Sequence, residues 1–292
     1  MNQKNYLAVF AKSFNWAGFF LPKKIFNDCS KLYTFCRVLD NIVDNNDDLK
    51  VKEKKFNEIK TIFELGNEKT KIANNNQYRI IVDDMNSLAH INNIKGIVLN
   101  DLIEGIESDI KQKVHFKSVK DLLVYSYRVA GAVGLMMAKI LNVNDTRALK
   151  GAIDLGIAMQ LTNIARDVIE DKKMNRRYIK PDFENIEATI KLADMFYESS
   201  FSSIRKIPFK YRFAIIVARR VYRQIGRKIL LKKNMESYEK SGKIYVNNFG
   251  KICQTVFSLW DLIKLFFIDI ETHQRTKEHK IISEEIDLDE RL

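Results

Sequence analysis

Apolar residues recur at three- and four-residue spacing from about Lys31 to Phe267, with no sustained two-residue alternation and no internal repeat. That period predicts helices nearly throughout and an all-α chain. Pro22 and the polar run Asn45 to Asp48 bracket a first long helix carrying KLYTFCRVLDNIVD, and the polar stretch Gly66 to Gln77 reads as a loop. Helices are predicted over about 79 to 90, 95 to 112 and 118 to 141, the last containing VAGAVGLMM. Another, from about 146 to 171, runs into KKMNRRYIKP, a predicted loop because Pro181 forbids simple continuation. Two more, at about 183 to 206 and 209 to 234, precede the irregular SGKIYVNNFG and a final helix near 250 to 270. From Glu271 onward the charge density rises and a disordered tail is expected.

Length and composition add a domain count. Three prolines and eleven glycines in 292 residues leave few places to divide the chain, so residues 1–270 read as one domain followed by the charged segment 271–292. With 46% hydrophobic residues the domain can bury a deep core and a cavity within it. Cys29, Cys36 and Cys253 are an odd number without metal-ligand spacing, which argues against a disulfide framework and against zinc. A reducing cytoplasm fits best. The opening MNQKNYLAVFAKSFNWAGFFLP is interrupted by Lys12 and Asn15 and shows no cleavage-site pattern, so export is not expected. No run of eighteen apolar residues is present, which leaves attachment to a membrane surface but no spanning helix.

The net charge of +12 suits nucleic acid, an anionic lipid surface or phosphorylated substrates. Lysine-rich solvated faces would produce the same number. The pairs Lys23/Lys24, Lys54/Lys55 and Lys232/Lys233 are scattered, and no nucleic-acid motif accompanies them, so no nucleic-acid partner is expected.

Two acidic stripes sharpen the picture. In QLTNIARDVIED a helical wheel places Gln160, Asn163, Asp167 and Asp171 within about 80°, beside the apolar sector and not opposite it. In LYTFCRVLDNIVD the same wheel places Tyr33, Arg37, Asp40 and Asp44 within about 60°. Carboxylates at i and i+4 repel, and a single such pair is common on solvated helix faces. Two pairs, each adjoining apolar positions, are another matter. If the helices face each other, four carboxylates converge on one cavity, where hard divalent cations could bridge them to a diphosphate. Such a site ionises a carbon–oxygen bond, and aromatic walls would favour the resulting carbocation.

These stretches resemble the two aspartate-rich motifs of the squalene and phytoene synthase family. The likeness extends to AKSFNWAGFFLP, YSYRVAGAVGLMM, the flap DKKMNRRYIKP and ARRVYRQIGRKI, covering about residues 10 to 255 in order. VAGAVGLMM with QLTNIARD is most similar to the family's bacterial phytoene synthases. The resemblance implies an isoprenoid-synthase-type helical bundle around a deep central cavity. It implies head-to-head condensation of two geranylgeranyl diphosphates through prephytoene diphosphate to phytoene, a step of carotenoid biosynthesis that needs magnesium, with manganese as a possible substitute, and no NADPH.

Carried onto this sequence, the resemblance gives Asp40, Asp44, Asn163, Asp167 and Asp171 as metal ligands, with Gln160 lining the same site. Ser13 and Arg37 would contact diphosphate. Tyr125 would assist proton removal or steady the cation. Arg176, Tyr178, Tyr222 and Lys251 would grip phosphate as the flap closes, and Gly131 and Gly134 would let their helix bend. Asn41, Ala11 and Lys243 depart from the family pattern. A thirty-carbon squalene or dehydrosqualene synthase acting on farnesyl diphosphate is the nearest alternative, and a non-catalytic basic helical protein binding nucleic acid or membrane is a distant one. A water-insoluble product and the positive charge suggest a cytoplasmic enzyme resting on the inner face of the membrane.

Overall fold

Helices form where the apolar period recurs, and several begin after a proline or at an aspartate or asparagine that accepts the first backbone N–H bonds. The computed structural model describes residues 12–65, 78–111, 113–268 and 276–292. The helices are α1 (Lys12–Gly18), α2 (Lys23–Asp44), α3 (Leu49–Leu65), α4 (Arg79–Ile91), α5 (Gly96–Glu107), α6 (Val119–Ser126), α7 (Ala132–Ile140), α8 (Thr146–Arg166) and α9 (Val168–Lys173). They continue as α10 (Phe183–Ser203), α11 (Phe209–Leu230), α12 (Met235–Lys240), α13 (Asn248–Lys264), α14 (Lys277–Glu285) and α15 (Leu288–Arg291). Pro22 and Pro208 stand immediately before α2 and α11, where a missing N–H costs nothing. Asp145, Asp182 and Asn247 cap α8, α10 and α13 by accepting backbone N–H bonds. The expected loop at 66–77 lies outside the described residues.

Helix α8 is the axis of the bundle, packed against α10, α7 and α11. Twelve of its residues are buried, from Ala148 to Ala165. Between α6 and α7 the chain widens into one π-helical turn, Tyr127–Gly131, within the stretch expected as one helix that bends at Gly131 and Gly134. Close approach accompanies that widening. A Cβ on Gly156 would lie 2.1 Å from the Ala130 carbonyl oxygen, and one on Gly134 would lie 2.2 Å from that of Ala152. The glycines thus let two backbones touch beside the cavity.

The structure departs from sequence expectation in three further places. The helix expected to run from 146 to 171 breaks at Asp167, which closes α8 and opens α9. Within the expected loop, β2 (Arg176–Arg177) pairs in parallel with β1 (Val114–His115), and Asn175 supplies the left-handed turn that brings it there (φ 57°). The segment expected as a disordered tail instead packs on the bundle from Thr276 onward. His279 Nε2 lies 3.2 Å from Asp154 Oδ2, and Arg291 grips the buried Asp101 at 2.9 and 3.2 Å. Its charges have buried partners, which a compositional argument cannot see.

The glycine contact generates a prediction. Gly156→Ala should lower unfolding stability by about 2 to 3 kcal/mol, because backbone and not a flexible side chain opposes the new methyl group. Gly96→Ala, with nothing within 4 Å of its Cβ, should leave stability nearly unchanged. Denaturant melts of the two variants against the wild type make the comparison.

Candidate active site

Both acidic stripes face one cavity of about 1260 Å³. Helix α2 contributes Tyr33, Arg37, Asp40 and Asp44, α8 contributes Gln160 and Asn163, and Asp167 and Asp171 enter from the break and from α9. Tyr125, Arg176, Tyr178, Tyr222 and Lys251 line the same space, so the structure brings together every side chain singled out from the sequence except one. The exception is Ser13, whose side chain lies outside the described part. Away from the carboxylates the walls turn apolar, with Val133, Met137, Leu155, Ile207 and Ala218 among them. A charged end thus leads into an oily one.

The break at Asp167 sets the second row. The Asp167 N–H donates to the Asn163 carbonyl at 2.9 Å, and the Asp171 N–H donates to the Asp167 carbonyl at 2.8 Å. Arg166 turns back onto its neighbour, its Nε donating to Asp167 Oδ1 at 2.8 Å. Tyr238 from α12 reaches over and places its hydroxyl 2.6 Å from the Arg166 carbonyl and 3.0 Å from that of Ala165. Those carbonyls are the acceptors that a helix break strands, so Tyr238 fastens the irregular geometry.

The flap reaches the first row. Arg176 Nη1 donates to Asp44 Oδ1 at 2.8 Å, and β2 is held to β1 by the Phe116 N–H bonded to the Arg177 carbonyl at 3.0 Å. Arg37 stands 4.0 Å from Asp40, one turn away. Lys243, from the irregular segment, lies 3.4 Å from Asp167. Asn41 does not line the cavity, in keeping with its position about 100° round the helix from Asp40.

A third cluster lies between the rows. The Tyr125 hydroxyl donates to Asp109 Oδ2 at 2.5 Å and sits 3.2 Å from the Tyr178 hydroxyl. The two rings stack with centroids 4.9 Å apart, and Phe116 meets both edge-on at 5.2 Å. Asp109 went unnoticed in the sequence. It is a lone acid at a short 3₁₀ turn, Ser108–Ile110, with no spacing signal, and only the fold carries it to the site. Arg166 and Tyr238 were missed as well; Arg166 stands inside the acidic motif, whereas nothing in the sequence around Tyr238 points to the break.

Crowded carboxylates hold their protons. Burial, then Asp44, push Asp40 up to about 7 against the pull of Arg37. Burial and Asp167 do the same to Asp171, also to about 7. The Asp40 side chain is 44% exposed, and it lines the cavity. Burial also raises Asp109, while Tyr125 is held well above the ordinary phenol range by burial and by Asp109. The Cys36 thiol, lining the cavity beside Asp40, is pushed up by burial and by Asp40 and stays protonated.

The donor set suits a hard cation. Asp and Asn oxygens face the space, and Asn163 Oδ1 and Asp109 Oδ1 are buried without a hydrogen-bond partner among the described residues. Among those residues no three His, Cys, Asp or Glu side chains close on a single point. The rows instead face one another with space between. That arrangement fits ions whose remaining positions are filled by water and phosphate oxygens.

Comparison with known proteins gives the family and the fold. The family model for squalene/phytoene synthase matches residues 7–182. A 15-cis-phytoene synthase of Paracoccus sp. is 34% identical over 182 residues, 56% of this chain and 59% of that protein, so the match spans less than two thirds of that relative's length. A 15-cis-phytoene synthase of Pantoea ananas is 29% identical over 254 residues, 76% of this chain and 80% of that protein. A crystal structure of a dehydrosqualene synthase in complex with ligand superposes with a TM-score of 0.69 at 25% identity, over 88% of this chain and 94% of that one. The all-α fold is the one these synthases share, and with the family model covering more than half of its length the chain belongs to the squalene/phytoene synthase family.

Proposed function

We propose that this protein is a phytoene synthase, a prenyltransferase that joins two geranylgeranyl diphosphates head to head and releases diphosphate. The observation that carries the reading is the meeting of two acidic rows and the basic side chains Arg37, Arg176 and Lys251 at one end of a cavity whose other walls are apolar. Several phytoene synthases are among the relatives, and the match to the Pantoea ananas protein runs through most of both chains.

Asp40 and Asp44 on one side, and Asn163, Asp167 and Asp171 on the other, would hold divalent cations, magnesium foremost and manganese as a substitute. Bound there, they would supply the positive charge that stabilises a departing diphosphate. Gln160 lines the same wall. Arg37, Arg176, Tyr178, Tyr222 and Lys251, with Ser13, bind the diphosphates. Arg176 already reaches Asp44, so the flap closes the charged end against bulk water. The apolar end takes the prenyl chains, and its dryness protects a carbocation from hydrolysis.

Tyr125 is placed for the proton. Its hydrogen points to Asp109 and one lone pair meets the Tyr178 hydroxyl, which leaves a further lone pair to face positive charge in the cavity. A substrate proton arriving at Tyr125 Oη would be matched by passage of the phenol proton to Asp109 Oδ2. The reading takes no reductant. A thirty-carbon product from farnesyl diphosphate is the second reading. It is favoured by the structural likeness to dehydrosqualene synthase and by a 4,4'-diapophytoene synthase of Staphylococcus haemolyticus, 31% identical over 186 residues.

Two experiments test the proposal. Incubation with geranylgeranyl or farnesyl diphosphate, with and without magnesium and NADPH, should give forty-carbon phytoene without NADPH, and chelation should stop it. A thirty-carbon product alone would favour the second reading. In the same assay Asp40→Asn and Asp171→Asn should each cut turnover by at least about 10²-fold with the helical signal intact.

The second experiment concerns pH. Asp40 and Asp171 are carboxyls raised to about 7 in the folded protein, so the folded state binds the extra protons. Their contribution to stability is present below about pH 4, the unfolded carboxylate value, and is lost as pH rises toward 7. A divalent cation opposes that loss, and at lower pH it must displace protons to bind. Magnesium should therefore raise the melting temperature more at pH 8 than at pH 6, and Asp171→Asn should shrink the difference. An equal shift at both pH values would show that these carboxyls do not bind the ion.

A further inference from the structure

Helix α13 is built inside out. Its buried residues are Lys251, Gln254, Ser258 and Asp261, all polar. Arg220 of α11 engages two of them, Nε donating to Gln254 Oε1 at 3.2 Å and Nη1 to Asp261 Oδ2 at 2.5 Å. Lys251 lines the cavity, and the Ser258 hydroxyl donates to the Gln254 carbonyl at 2.8 Å. The outward face carries Phe249, Ile252, Val256, Phe257 and Trp260, with exposures from 50% at Ile252 to 73% at Phe249. On a wheel those five occupy about 140° of arc. A helix facing water shows the reverse order, so the outer face of α13 is matched to a less polar medium.

The charge around that face chooses the medium. From Ser241 to Phe267 the only acid is Asp261, and it is buried against Arg220. From Arg205 to Met235 there is no acid at all. The start of that basic stretch borders the C-terminal end of α13. Phe209 lies 6.4 Å from Phe266 between ring centroids, and Arg205 Nη1 donates to the Ile268 carbonyl at 2.9 Å. Lys206, Lys210 and Lys264 are exposed around this corner. A second copy of the chain would bring the same positive rim against itself, which like charges oppose. An anionic lipid surface offers both an apolar layer for the aromatic residues and negative headgroups for the lysines. No helix among the described residues is long and apolar enough to cross a membrane.

We propose that the outer face of α13, together with Phe209 and the surrounding lysines, seats this protein on an anionic lipid surface. The position has a use. The inner side of α13 supplies Lys251 to the cavity, and α1, joined to α13 by the Trp16 Nε1 bond to Thr255 Oγ1 at 2.9 Å, lines it through Ala17 and Gly18. One helix therefore carries both the docking face and part of the cavity wall. The seating itself needs no substrate, so it stands or falls independently of the reaction proposed above.

The test is vesicle flotation of the full chain, on phosphatidylcholine vesicles with and without phosphatidylglycerol. The wild type should float, and more strongly with phosphatidylglycerol. Val256→Glu/Trp260→Glu should weaken flotation more than tenfold while circular dichroism and melting temperature hold, since both side chains are exposed. Lys206→Ala/Lys210→Ala/Lys264→Ala should weaken only the anionic component, by roughly fivefold for each lysine. The proposal is overturned if the wild type does not float on either vesicle, or if the two glutamates leave flotation unchanged. A concentration-dependent dimer that the glutamates dissociate, with no vesicle capture, would assign the face to a second copy instead.

Discussion

Aspartates can be gathered around a cavity only if positive charge is held within reach of each of them. Here every carboxylate row has its own cation on the protein: Arg37 beside Asp40, Arg176 on Asp44, and Arg166 with Lys243 on Asp167. Even so, Asp40 and Asp171 are pushed up to about 7, so the offset is incomplete. That residual cost is what makes the site receptive to further positive charge. From the flap, Arg176 lines the cavity and pairs with Asp44.

Regular helices alone would not place these groups. The break at Asp167 ends α8 and lets Arg166 and Asp167 face each other from adjacent positions, which a continuous helix forbids. Tyr238 satisfies the carbonyls that the break leaves open. Farther back along α8, the π-turn at Tyr127–Gly131 and the bare backbones of Gly134 and Gly156 bring two helices into contact. Tyr125, on the turn before, meets Asp109 and Tyr178. Two departures from helical regularity, the break and the π-turn, border the cavity.

How much of this was legible in the chain differs from residue to residue. The pairs Asp40/Asp44 and Asp167/Asp171 could be read because i,i+4 spacing puts carboxylates on one stripe. That the two stripes face each other could not, since relative rotation of α2 and α8 is decided by packing. The break at Asp167 has no sequence mark, because the apolar period runs on through Val168 and Ile169. In α13 the pattern KICQTVFSLWDLIK announces an amphipathic helix and is silent on which side is inward. The usual assumption, apolar side in, fails there because Arg220 and the cavity claim the polar side. The C-terminal segment was misjudged for a related reason: its charges meet Asp101 and Asp154, buried partners more than a hundred residues away in sequence.

The central claim is that Asp40 with Asp44, and Asp167 with Asp171, would hold divalent metal that stabilises a departing diphosphate. Crystals grown with manganese and an unreactive thiodiphosphate analogue of a prenyl substrate, measured at the metal's anomalous edge, address it directly. The account predicts anomalous peaks beside both rows, about 2.1 Å from carboxylate oxygens, with the diphosphate between them and the chain in the apolar end. A fully occupied analogue with no metal peak at either row, or with its phosphates held away from the aspartates, would contradict it.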